Sequence, residues 1–133
     1  MAGKIVADTL EHSTAGSIAT NYVVEGSVKS HIRFDMQNDT VIGSFNVSSA
    51  TDNGSGESTN AITSAMNDAN YTVTSAAGHS DGTENTYTIA TGLRRSDDPT
   101  TTQWVMQCAS ALAGGSSGFS PHNMMSMIVG DLA

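Results

Sequence analysis

The residue groups with the chemical reach to form a site are few, and each is incomplete. GGSSG at 114–118 matches the G-x-S-x-G pattern in which a strand-to-helix turn strains a serine, here Ser116, into exposure. Such a serine needs an acid and then a histidine further along the chain, whereas His122 precedes Asp131 and no helical pattern follows. Asp52, Asn53 and Glu57 in TDNGSGE carry oxygen donors. A calcium loop of the EF-hand type needs alternating donors at three early positions and a glutamate twelve places from the first, which this segment lacks. Its Asn-Gly and Ser-Gly pairs instead suit chain reversal at positive φ, so a hairpin or bulged loop is expected.

The other reactive side chains are scattered. His12, His31, His79 and His122 show no i, i+3 or i, i+4 spacing, so no metal and no cofactor are expected within one chain. A threefold axis gathering three copies of one histidine is the remaining route to an ion site. Asp97 and Asp98 adjoin Arg94 and Arg95 and read as a solvated loop. A polysaccharide hydrolase would need two carboxylates roughly 5–10 Å apart across a cleft. Cys108 shares a strand face with Trp104 and Met106, which makes it a core thiol rather than a nucleophile without a base. The chain is therefore expected to be no enzyme.

Strands must carry whatever site exists. In SVKSHIRFD, Val28, Ser30, Ile32 and Phe34 alternate with Lys29, His31, Arg33 and Asp35, the period of a half-buried strand. TVIGSFNVSS continues as a strand with Val41, Gly43, Phe45 and Val47 on one face, joined to the first through the polar MQND. Further strands are expected at 4–10, 18–25, 57–63, 71–76, 85–91, 102–109 and 123–129, with turns at 78–84, 92–100 and 114–122. ITSAMNDAN, 62–70, suits one helical turn capped by Ser64. Eight to nine short strands at this spacing predict an all-β fold, a single antiparallel β-sandwich or jelly roll spanning 1–133.

The segment NMMSMIVG places Met124, Met125, Met127, Ile128 and Val129 on both faces of the last strand. A strand apolar on both sides is either central in a core or pressed against another subunit, and the subunit interface is the expectation here.

Composition narrows the partners. The chain of 133 residues holds 18 Ser and 16 Thr against 18 charged residues, so hydroxyls make up much of its polar surface. A net charge of -8 with five Lys and Arg opposes binding to nucleic acid or to an anionic membrane. No apolar run approaches ~18 residues, and the N-terminus lacks the apolar stretch of a signal peptide, so synthesis in a cytoplasm is expected. The N-x-[ST] triplets at Asn38, Asn46, Asn53 and Asn70 carry no signal, since a composition with nine Asn and 34 Ser and Thr produces about two or three by chance. A single cysteine excludes an internal disulfide.

Four phrases carry a resemblance: ADTLEHSTAGSIATNYVVEGSVKSHIRFD at 7–35, GSFNVSSATDNGSGE at 43–57, SAMNDANYTV at 64–73 and VGDLA at 129–133. Together they resemble a module of virion structural proteins of tailed phages, marine ones especially, and of their tail fibres. The chain departs from that pattern in ESTNAIT and in having His31 where an aromatic residue is usual. The resemblance implies a β-rich, homotrimeric domain on the outside of a phage particle, without catalytic residues. It implies contact with other virion proteins and with host-surface glycan, through loops carrying Asp52, Asn53, Glu57, His79, Asp81, Arg94 and Arg95. Decoration of the capsid exterior is the alternative placement.

Overall fold

The structure, a computed structural model, describes residues 6–14, 16–78, 88–112, 115–118 and 120–133. Among the described residues, eleven strands and one short helix follow in chain order: β1 Thr9–His12, β2 Gly16–Ala19, α1 Thr20–Gly26, β3 Val28–Asp35, β4 Thr40–Phe45, β5 Val47–Gly54, β6 Glu57–Ile62, β7 Thr72–Gly78, β8 Thr88–Leu93, β9 Gln103–Leu112, β10 Gly115–Gly118 and β11 Asn123–Val129. Two antiparallel sheets pack face to face as a sandwich, ordered β4-β3-β11-β7 and β10-β9-β6-β5, with β8 also on β9. Gln107 pairs with both Glu57 and Gly92, so β8 occupies the edge of β9 opposite β6. The all-β sandwich expected from the strand spacing is the fold observed.

One asparagine joins the sheets. TVIGSFNVSS is not one strand but two, because Asn46 takes φ 54° and swings the chain from β4 in the first sheet to β5 in the second. Asn tolerates this left-handed region better than any β-branched neighbour would. Its side chain fixes the corner: Nδ2 donates to the Lys29 carbonyl at 3.0 Å, and Oδ1 accepts from the Ser64 amide at 2.7 Å. As a result Val41 and Phe45 are exposed at 42% and 56% instead of lying with Val47 on a core face.

The core lies between the sheets. Ile32 and Phe34 of β3 meet Met124 and Ile128 of β11 on one side, and Trp104, Met106 and Cys108 of β9 on the other. Each fully buried large side chain of this kind contributes about 1.5–3 kcal/mol of transfer free energy. Polar groups interrupt the grease. Trp104 Nε1 donates to Ser126 Oγ at 3.2 Å, and Asn60 Nδ2 donates to Ser58 Oγ at 3.2 Å. Burial among these residues pushes the Cys108 thiol up to about 11, as expected of a core cysteine.

Elsewhere local chemistry overrode the expected elements. Residues 18–25 do not form a strand: β2 ends at Ala19 and α1 follows, held by Thr20, whose amide donates to the Asp8 carbonyl at 2.9 Å. Residues 62–70 form no helical turn, since Met66 is drawn into the core and bridges Leu132. Residues 115–118, expected within a turn, form β10 and fold back on β9, so Ser116 lies on a strand and not on an elbow before a helix. At the start of β3, Lys29 is buried and Val28 exposed, the reverse of the alternation, where the β3–β11 register shifts between Ile128 and Val129. Lys29 Nζ donates to the Val24 carbonyl and to Ser27 Oγ, which satisfies a free carbonyl at the end of α1.

Candidate interaction surface

The last strand separates its residues by face. β11 runs inside its sheet, bonded to β3 on one side and β7 on the other. Met124 and Ile128 are fully buried and Ser126 nearly so, whereas Met125 and Met127 remain 41% and 44% exposed. Met124 and Ile128 are therefore core residues, not the interface residues expected of them. Among the five residues, the outward ones are Met125, Met127 and the half-buried Val129.

The outward residues meet others that the sequence did not single out. Cross-strand register sets Phe45, His31, Met127 and Thr74 in one row across the four strands, and Gly43, Arg33, Met125 and Ala76 in the next. The His31 and Phe45 rings stack with centroids 6.1 Å apart and planes at 27°. Beside them, Thr74–Ala76 and Met125–Met127 line a shallow groove of about 180 Å³. Arg33 borders the patch, its Nε and Nη2 donating to Asn123 Oδ1 at 2.9 and 2.6 Å. In the sequence Phe45 reads only as sharing one strand face with Val41, Gly43 and Val47. Its position directly opposite His31 in the β3–β4 ladder appears only once the corner at Asn46 is known.

A second apolar surface stands apart from the sandwich. Leu10 of β1 lies directly opposite Ile18 of β2, and they are 47% and 46% exposed. In α1 no residue is buried, and Tyr22, Val23 and Val24 all face outward to a large degree. The signal was present in NYVVE, three apolar residues in a row within a polar stretch, but it reads equally well as a strand.

The loops expected to face a receptor do not form one rim. Ser55 and Gly56, at φ 52° and 77°, turn the β5–β6 hairpin as its sequence implied, with Asp52 Oδ1 accepting from the Gly54 amide at 2.7 Å. That turn adjoins the Glu57–Gln107 pair, whereas the 94–102 link runs into Gln103 at the other end of the β6–β9 ladder. Arg94 nevertheless spans the outer face of this sheet, with Nε 3.0 Å from Glu57 Oε1 and Nη1 2.7 Å from Asp97 Oδ2. The guanidinium thus bridges the two carboxylates. Asn53 and Arg95 are exposed, and Asn53 Nδ2 donates to Thr59 Oγ1 at 2.8 Å. His79 and Asp81 lie outside the described residues.

The carboxyl of Asp35 closes the β3–β4 turn. It accepts from Asn38 Nδ2 at 2.9 Å and from the Gln37 amide at 3.0 Å, and His122 Nδ1 approaches at 3.5 Å. The Asn38 side-chain bond, foremost, holds its pKa below the ordinary carboxylate value, against a smaller opposing effect of burial. Among the described residues no three of His, Cys, Asp and Glu gather at metal-binding separations, and no helix is long and apolar enough to cross a membrane. No family model, curated protein or solved structure matches this chain.

Proposed function

We propose that the chain is a structural protein of a tailed-phage particle, displayed on its exterior as a homotrimer of sandwiches in the manner of a tail fibre. The observation that carries this reading is the uncovered apolar face of Phe45, Met125 and Met127 on an otherwise hydroxyl-rich sandwich. Exposed apolar clusters of this kind mark association surfaces. The phrase-level resemblance to virion proteins supplies the setting. Host-surface glycan would meet the exposed polar groups at the ends of the sheets, Asn53 at one and Arg95 at the other.

Decoration of the capsid is the second reading, favoured by the presence of two separate apolar surfaces on one small sandwich, which suits a lattice of neighbours. Copy number separates the two placements. Quantitative mass spectrometry of purified particles giving tens of copies or fewer supports the fibre, and hundreds support decoration. Absence of the chain from particles overturns both.

A further inference from the structure

We propose that the N-terminal arm, the described residues 6–14 and 16–26, docks on the outer face of the β4-β3-β11-β7 sheet of a second copy of the chain. This rests on the self-association proposed above and assigns its two contacting surfaces. A two-stranded hairpin and a seven-residue helix are each marginal alone in water, so the arm requires cover. Among its described residues, Leu10, Ile18, Tyr22 and Val24 remain between 46% and 66% exposed. The sheet face is uncovered in the same chain.

Charge selects the occupant. Residues 6–26 carry Asp8, Glu11 and Glu25 against His12, with Lys4 just before them, while the face carries His31 and Arg33 amid its apolar residues and Asp35 at its edge, where Asn38, Gln37 and His122 already engage that carboxylate. Arg33 is one of five basic residues in a chain of net charge -8, and its guanidinium bonds to the neutral Asn123 amide. An acidic, apolar arm and an apolar face with the Arg33 guanidinium near its centre are complementary between copies. Because the two surfaces differ, the contact is head-to-tail, and it closes as a ring when the arm projects in a fixed direction. The Lys29 bonds to Val24 and Ser27 supply that fixed direction at the root of α1.

The test uses full-length chains and light-scattering mass, with emission from the buried Trp104 reporting that each variant is folded. An arm variant, Tyr22→Ser with Val24→Ser, and a face variant, Phe45→Ser with Met127→Ser, should each fall to the 13.7 kDa monomer. An equimolar mixture should then recover a two-chain species, because the intact arm of one finds the intact face of the other. Arg33→Glu should weaken wild-type association by about tenfold at low ionic strength. An arm variant that assembles like the wild type overturns arm docking and leaves self-association standing, as does a mixture that stays monomeric. No loss on Arg33→Glu removes the complementarity by which the occupant was chosen. A folded wild-type chain that is monomeric overturns both proposals.

Discussion

Trp104 Nε1 donates to Ser126 Oγ at 3.2 Å, a hydrogen bond that crosses the sandwich from β9 to β11 with both residues buried. Ser126→Ala removes the acceptor and leaves an indole N–H without a partner in the core. The expected loss is about 1–2 kcal/mol, the desolvation penalty of an unpaired buried donor. Urea unfolding checks it, with an unchanged m-value marking a pure stability effect.

Gly130 adjoins the ring-bearing carbon of Tyr71. A Cβ at this position would lie 2.7 Å from Tyr71 Cβ and 3.3 Å from its Cα, so backbone must shift to admit it. Gly130→Ala should cost about 1–3 kcal/mol by overpacking. Gly92→Ala, where an added Cβ meets nothing within 4 Å, should change stability by less than about 0.5 kcal/mol, and paired thermal melts compare the two.

Cys108 should behave as a marker of opening. With the thiol pushed up to about 11 from 9 by burial, its thiolate population at pH 8 is about a hundredfold below that of a free cysteine, before access is considered. Labelling by a disulfide reagent should therefore be at least that much slower in buffer than in concentrated urea. Equal rates would mean that the β9 core opens freely.

Stability should decline at both extremes of pH, for opposite reasons. Burial raises the Tyr71 hydroxyl to about 12, where it donates to the Thr100 carbonyl at 2.8 Å. A group that holds its proton more tightly when folded stabilises fully below its unfolded pKa of 10, and that contribution is lost between pH 10 and 12. Asp35 runs the other way. Its lowered pKa stabilises above the ordinary value of 3.8, and the contribution is lost as pH falls below it. Tyr71→Phe should flatten the alkaline limb of a melting profile, and Asp35→Asn the acid limb.

What the sequence reveals depends on how local the cause is. The inward set Ile32 and Phe34 and the shared face of Trp104, Met106 and Cys108 follow from period-two alternation, and the structure buries all five. The β5–β6 turn follows from Ser55 and Gly56. Asn46 is less legible, since nothing in SFNV distinguishes an extended asparagine from one at φ 54°, and its corner bonds reach to Lys29 and Ser64. For α1 the β-branched valines favour a strand, and the bonds to Ala7 and Asp8 that start the helix come from the preceding segment.

The candidate surface was legible only in part. The sequence marks β11 as apolar on both faces, but dividing Met124 from Met125 requires knowing which side meets Trp104. Alternation alone places His31 and Arg33 on the outward face. Their alignment with Met127 and Met125 depends on β11 lying beside β3, a pairing between segments some ninety residues apart in sequence.

The position of β11 also governs the order in which the molecule can be assembled. It follows every other described strand in the chain yet lies between β3 and β7, so half of the sandwich has an empty lane until that segment arrives. Closing long loops before any reward makes such topologies slow to fold. Refolding from denaturant should be limited by that insertion, and a ribosome that stalls before residue 123 would release a chain with its interior open along one seam.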